Sequence, residues 1–487
     1  MLSKAQLAIS FTICASMPLH AETTNINHLL QDVIDHYPAI KTAYFEVAKA
    51  QQESLKIQGQ LGWQLGAETG LAKEVSFLGQ PVEQLSLAGN LRRKLESGDS
   101  LSFSARLSHE DADAVLTGFP NPSTSSDLKL EYDMPLGKAA GNIRYTTSLS
   151  QAKAGVDIKV AEQRILLDKM ADQVIELYLA SLNTKQRIEN TQASIKRTKK
   201  LSRFINDRLK LGIVEDKDQL QTDAQLQSQI AQLTSLQLAW TQQLISMNRL
   251  TGKKWDQPLS LHIPKTNDHA AATVEHLIET VKAHSPALSQ IDSLIFISDE
   301  QIKLQRQNRK NEIGLKFFIG NKTSEGDTPP DSSISNSDVV AGVNLAYSQA
   351  LNKSADNAAL YQAQLNRGLQ LQNKKQLLEN LHYDLASNLA ESAAIKHSIQ
   401  AYKNSKKAEQ KKLKDAEQRY KSGRIDIDQL LQFENQLSAT DLALNIQKLA
   451  LQQRLLKLSL LTGSIWKEIK LPLYDFENDN SFIEEAL

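Results

Sequence analysis

The sequence predicts an α+β membrane protein in two internal repeats. Its long coiled-coil helices build an α-helical barrel, and its strands belong to a transmembrane β-barrel shared between protomers. Three observations carry this prediction. Short blocks recur in one order along the chain, long proline-free segments carry seven-residue apolar repeats, and between them lie runs of alternating apolar and polar residues.

The repeat comes first because it sets the plan. His28-Leu29-Leu30 with His36-Tyr37-Pro38-Ala39-Ile40 returns as His276-Leu277-Ile278 with His284-Ser285-Pro286-Ala287-Leu288, 248 positions later. Arg208-Leu209-Lys210-Leu211-Gly212 returns as Arg419-Tyr420-Lys421-Ser422-Gly423, and Leu250-Thr251-Gly252-Lys253-Lys254-Trp255 as Leu461-Thr462-Gly463-Ser464-Ile465-Trp466, both at an offset of 211. The shrinking offset assigns extra residues to the first copy, in roughly residues 72–126.

No proline lies between Leu136 and Gln257 or between Asp331 and Leu471, so long helices are permitted there. Residues 142–210 and 354–421 would each form a helix about 100 Å long. Gly212 and Gly423 then end them as helix-capping glycines do. The return helices, residues 215–250 and 426–461, are about half as long. Residues 38–60 and 286–310 are also helical in composition, each with proline at its start, and stacked on a return helix they would match the long one.

The periodicity predicts tight packing. Leu430, Leu437, Leu444, Leu451 and Leu458 recur every seven residues, as do Leu442, Leu449 and Leu456, with Leu226, Leu233, Trp240 and Met247 equivalent in the first copy. Two such stripes on one helix call for neighbours on two sides. A soluble coiled-coil scaffold explains the helices equally well.

The strands separate the two readings. Trp63, Leu65, Ala67, Thr69 and Leu71 alternate with Gln64, Gly66, Glu68 and Gly70. Leu85-Leu87-Leu91, Leu101-Phe103-Ala105-Leu107, Leu128-Leu130-Tyr132-Met134, Ile313-Leu315-Phe317-Ile319 and Val339-Ala341-Val343-Leu345-Tyr347 keep the same period of two. Each run is about nine or ten residues, the length a tilted strand needs to cross a bilayer. One apolar and one charged face suit lipid outside and water inside, with Leu65, Phe103, Leu130, Phe317 and Val343 facing away from Glu68, Arg106, Glu131 and Lys316. A soluble sandwich is the competing reading. Six strands are too few to enclose an open pore, so several chains must share one barrel.

Composition excludes other classes. Lys+Arg and Asp+Glu are both 56, so no basic excess points to nucleic acid. Residues 1–21 read as a secretory signal, and the only cysteine, Cys14, lies inside it, leaving no disulfide or thiolate metal site. No window offers 18 consecutive apolar residues beyond the signal. Phosphate-binding, dinucleotide, zinc-protease and nucleophile-elbow motifs are absent, and the ten histidines are scattered. His28, His36, His276 and His284 read as packing or turn residues. No catalytic residue, metal site or cofactor is expected.

The signal, the duplicated helix–strand–strand–helix–helix units, the Arg-x-x-x-Gly turns at Arg208–Gly212 and Arg419–Gly423 and the Leu-Thr-Gly closing each unit together resemble the TolC, or outer-membrane efflux protein, family. The resemblance implies a homotrimer in the outer membrane of a Gram-negative bacterium, touching lipid through its strands and reaching into the periplasm. There a periplasmic adaptor (membrane fusion protein) and an inner-membrane pump would dock at the hairpin tips, here Leu211, Gly212, Ile213, Ser422, Gly423 and Arg424. It implies passive export, with the cargo left open. A periplasmic adaptor or a coiled-coil scaffold remains the alternative.

The resemblance also implies a gate using Asp218 and Tyr420, six residues after the first glycine and three before the second, with the phenol donating to the carboxylate. The family's type member has aspartates six and nine residues after the second glycine. Gln429 and Gln432 stand there in this chain, and the acids are Asp426 and Asp428, beside Arg424. The first copy also has four strand-like runs where two are usual, joined through Glu96-Ser97-Gly98-Asp99 and Phe119-Pro120-Asn121-Pro122. The domains expected are the signal (1–21), helices (22–60), strands with an extra hairpin (61–136) and long hairpin (137–255) of the first repeat. A linker (256–272), the second repeat's helices (273–311), strands (312–350) and hairpin (351–466), and a tail (467–487) complete the chain.

Overall fold

The structure is a computed structural model; it describes residues 23–75, 81–112, 120–212, 214–263, 273–328, 332–467 and 469. The expected signal, Cys14, Ile213, residues 264–272 of the linker and the tail apart from Lys467 and Ile469 lie outside the described residues.

In chain order the first elements are β1 (Thr23–Thr24), α1 (Ile26–His36), α2 (Pro38–Gln58), β2 (Trp63–Val75), β3 (Pro81–Lys94), β4 (Ser100–Ala112), β5 (Ser123–Pro135), α3 (Ile143–Lys210) and α4 (Asp216–Leu250). There follow β6 (Ser260–Leu261), α5 (Val274–His284), α6 (Pro286–Asn308), β7 (Glu312–Thr328), β8 (Ser332–Ser348), α7 (Ser354–Lys421) and α8 (Ile427–Leu461). The long helices α3 and α7 are each 68 residues and the return helices α4 and α8 each 35. Pro38 and Pro286 open α2 and α6, where a missing N–H costs nothing. Among the described residues no helix is long and apolar enough to cross a membrane.

The chain divides into two compact units. A helical unit gathers the described residues of Met1–Lys41, Leu166–Ser285 and Asn380–Leu487. Its core is apolar on the faces that periodicity marks: Ile26, Leu29, Leu30, Val33 and Ile34 of α1 are buried, and Leu277 and Val281 of α5 meet Leu385 and Leu458. Of the expected stripes on α8, Leu430, Leu444, Leu458, Leu449 and Leu456 are buried. On α4 only Met247 of the expected stripe is buried, Leu226, Leu233 and Trp240 are half-buried, and Thr222, Gln229 and Leu236 form a second buried line. An apolar pattern alone does not find a seam that carries polar residues.

Each return helix ends against a histidine. A Cβ on Gly252 or Gly463, which have φ of +68° and +67°, would lie 3.0 Å from the ring or Cβ of His36 or His284. The rings of His36 and His284 are held by the carbonyls of Asp32 and Thr280, each 2.9 Å from Nδ1. In the described part of the linker, β6 pairs in parallel with β1.

The strand unit comprises Thr42–Ile165 and Pro286–Glu379. Its six strands form one antiparallel sheet in the order β2-β3-β4-β5-β7-β8. They run 13 to 17 residues, longer than the nine or ten expected. Polar residues such as Lys73, Glu74, Ser332 and Ser333 continue the ladders past the apolar stretch, and alternation of apolarity cannot register them.

Candidate functional site

Two features are candidates for function: the helical hairpin tips, in the helical unit, and the two-faced sheet, in the strand unit. At each tip a glycine ends the long helix in the left-handed conformation. Gly212 and Gly423 both have φ of +70°, with open space where a Cβ would stand. At the second tip the N–H of Arg424 reaches the carbonyl of Arg419 (2.9 Å) and that of Gly423 reaches Tyr420 (3.0 Å), satisfying carbonyls that the helix leaves open.

The tips are joined by polar ties. Arg208 Nη2 donates to the Lys421 carbonyl at 2.7 Å, linking the ends of α3 and α7. Gln221 of α4 donates to Asp428 of α8, and Gln225 to Asn435 at 3.1 Å. Beneath them Ile205, Leu413, Ala416, Tyr420, Ile427, Leu430 and Leu431 form one apolar cluster. Arg208 caps the Phe204 ring, its guanidinium carbon 4.7 Å from the centroid.

Tyr420 is buried in this cluster, its ring centroid 6.1 Å from that of Phe204. Its hydroxyl has no hydrogen-bond partner among the described residues. The expected bond from Tyr420 to Asp218 is therefore not formed in this chain. The ring is drawn among apolar neighbours, and Asp218, in the first turn of α4, acts on it only as a nearby charge. Burial first, and then the Asp218 carboxylate, push the Tyr420 phenol up, against the opposing pull of Arg208.

The acids of the tips crowd one another. Burial raises the Asp218 carboxyl above the ordinary range; Lys217 opposes this, and Glu215, Asp428 and Asp426 add to it. Asp426 has a second duty, its Oδ1 accepting from the N–H of Gln429 at 2.8 Å as the N-cap of α8. Leu211, Gly212, Ser422, Gly423 and Arg424 are exposed.

A network further along was not visible in the sequence. Glu434 of α8 is buried and accepts from Arg197 Nε at 2.7 Å and Ser194 Oγ at 3.0 Å on α3, and Ser194 accepts from Gln229 of α4 at 3.1 Å. Three helices are thus tied through one carboxylate. The bonded partners are 35 to 240 positions apart, so only the polar interruption of an apolar stripe at Gln229 and Glu434 could have signalled them.

The sheet separates its faces as the alternation predicts. The register sets Leu65 opposite Leu91, Leu91 opposite Phe103, Phe103 opposite Leu130 and Leu130 opposite Ile319, with Phe317 opposite Val343. On the other face Lys129 meets Glu131 at 2.5 Å, and Lys316 lies 3.5 Å from Asp133 and 3.9 Å from Glu131. The apolar face is uncovered in the single chain: Leu65 is 82% and Val343 60% exposed. Among the described residues no second sheet packs on this face, so the chain does not itself form the sandwich of the competing reading.

Among the described residues no group of three or more His, Cys, Asp and Glu side chains could hold a metal ion.

The fold, with its long helical hairpins and one two-faced sheet, is shared with solved outer-membrane channels. The chain is similar in structure to CusC, a transmembrane channel, with a TM-score of 0.67 and 14% identity over 91% of this chain and 92% of that one. It is similar to the CmeC outer-membrane channel of Campylobacter jejuni, with a TM-score of 0.65 and 14% identity over 99% and 98% of the two chains. It is also similar to the open state of the MtrE outer-membrane channel of Neisseria gonorrhoeae, with a TM-score of 0.65 and 14% identity over 92% and 91%. No family model matches the chain, and no curated protein matches it in sequence.

Proposed function

We propose that this chain is one protomer of a passive efflux channel of the Gram-negative outer membrane, without catalytic activity, built from two copies of one helix–strand unit and assembled as a trimer. The observation that carries the reading is the sheet, whose exposed apolar face and charged opposite face fit lipid outside and water inside. Thirteen residues at about 3.4 Å each, tilted about 40°, rise roughly 34 Å, enough to cross the hydrocarbon core. Uncovered apolar side chains on α7, Tyr361, Leu365 and Leu369, suit further copies of the chain beside it.

In this reading the hairpin tips are the periplasmic end, where a periplasmic adaptor and an inner-membrane pump dock on Leu211, Gly212, Ile213, Ser422, Gly423 and Arg424. The acids Asp218, Asp426 and Asp428, with Arg424, line the constriction, and Tyr420 backs them from the apolar cluster behind. The Arg208–Lys421 and Gln221–Asp428 ties hold it narrow. Both ties are exposed, so each contributes about 1 kcal/mol or less, and three copies sum to a few kcal/mol. An adaptor that binds the open tips preferentially by that amount shifts the population.

Extraction tests the reading against the alternatives. A channel should fractionate with the outer membrane and come into solution only with detergent. Release of the protein by salt or carbonate washing would instead favour a periplasmic adaptor or scaffold.

A further inference from the structure

Strands β3 and β4 lie wholly within residues 72–126, where the first repeat carries its extra residues. An inserted hairpin can either stand away from a sheet or enter it. Here it enters. β3 pairs with β2 along the whole length of β2, from Trp63 opposite Arg93 to Val75 opposite Pro81. β4 pairs with β5 from Ser100 opposite Asp133 to Glu110 opposite Ser123. Without the hairpin, β2 and β5 would still be antiparallel and could be neighbours, so the insertion widens the sheet without reversing it.

The inserted strands also keep the two faces of their neighbours. Leu85, Leu87, Leu91, Leu101, Phe103 and Leu107 share the apolar face, all exposed or half-buried in the single chain. Their other face is lined mainly by small or neutral side chains, among them Ser86, Ala88, Ser102, Ser104 and Ser108, with Arg92, Lys94 and Arg106 as its cations. Such a face leaves a lumen open rather than filling it.

The remaining free edges are β2 and β8. Because the strands are antiparallel and even in number, these edges run in opposite directions. Identically oriented copies can therefore join β8 to β2 antiparallel, and the ring closes without an unpaired edge.

We infer that the β3–β4 hairpin is a structural part of the barrel wall, so that each protomer contributes six strands and the trimer closes an eighteen-stranded barrel. The strand count rests on the channel reading above. At a spacing of about 4.8 Å and a tilt of about 40°, eighteen strands give a backbone diameter of about 36 Å, against about 24 Å for the twelve that four strands per chain would supply. The exit through the outer membrane would then be wide and lined by small polar groups, suited to bulky hydrated cargo.

The test uses the full chain in a Cys14→Ser background, reconstituted in lipid nanodiscs. Single cysteines are placed on the hairpin (Ser86→Cys, Leu87→Cys, Arg106→Cys, Leu107→Cys) and on β7 (Lys316→Cys, Phe317→Cys). Each is labelled with a water-soluble maleimide or a bilayer-embedded one, and the particle is imaged to count strands. Alternate water and lipid labelling at both places, with eighteen strands in the density, is the expected result. Alternation on β7 with water labelling of both residues of each hairpin pair, or a twelve-stranded wall, overturns the inference and leaves the channel reading intact. Loss of alternation on β7 as well defeats the channel reading, and the inference with it.

Discussion

Replacing Arg197 with alanine should loosen the helices behind the hairpin tips by about 2 kcal/mol. Glu434 has a side chain only 9% exposed, and Arg197 Nη2 lies 2.6 Å from its Oε1. Removing one partner of a fully buried pair costs about 3–5 kcal/mol, because the remaining charge is stranded. Arg197 itself is 40% exposed, so water can reach the site once the guanidinium is gone, and about 2 kcal/mol is the discounted figure. Ser194 keeps its own bond to the carboxylate, which limits the loss further. At an RT of about 0.59 kcal/mol this corresponds to roughly 30-fold faster amide exchange in α8 around Glu434, read by mass spectrometry in detergent. Adding Glu434→Gln to Arg197→Ala removes the stranded charge and should recover most of the protection. Exchange accelerated less than about 3-fold by Arg197→Ala, or no recovery in the double variant, would refute the assignment of this carboxylate as the tie between α3, α4 and α8.

Three further outcomes follow from the geometry. Gly212→Ala should cost about 1 kcal/mol for its left-handed backbone alone, whereas Gly252→Ala, whose Cβ would meet His36 at 3.0 Å, should cost about 2 kcal/mol and lower the calorimetric unfolding temperature further at equal scan rate. Asp218 has its folded pKa raised above the ordinary 3.8, so its ionisation opposes the folded tip. That penalty is absent below the ordinary value and complete above the folded one, and Asp218→Asn should abolish the corresponding loss of tip protection as pH rises from about 4 toward neutral, after correction for intrinsic exchange. Phe103→Arg, on the apolar face, should impair liposome insertion by about 2–4 kcal/mol near the bilayer midplane, while Ser102→Arg, on the other face, should insert nearly as well as wild type.

The sequence carries the elements of this fold unevenly. Long helices were legible because proline and glycine mark their ends: Pro38, Pro286, Gly212 and Gly423 stand within a residue or two of the observed boundaries. Alternation located all six strands of the sheet and their faces, since a period of two survives in any register. It underestimated their length, because the polar ends are held by backbone pairing rather than by apolarity. At the tips, the resemblance pointed to Asp218 and Tyr420, but the distances from the glycines do not say how the two side chains face one another. Side-chain direction at a helix end depends on what the neighbouring helix offers, and here Phe204 and Leu430 draw the Tyr420 ring into an apolar cluster. The capping role of Asp426 follows a local rule and was within reach. The Ser194–Gln229–Glu434 network was not, since its members meet only after three helices have packed.

The central claim is that this chain forms a water-filled pore, and single-channel recording tests it most directly. Detergent-purified, crosslinked oligomer added to planar bilayers should give discrete conductance steps, and severing the tip ties with Arg208→Ala and Gln221→Ala should enlarge each step without changing the mass of the oligomer. An intact oligomer that inserts but passes no current, in the wild type and in the severed variant alike, would contradict the account.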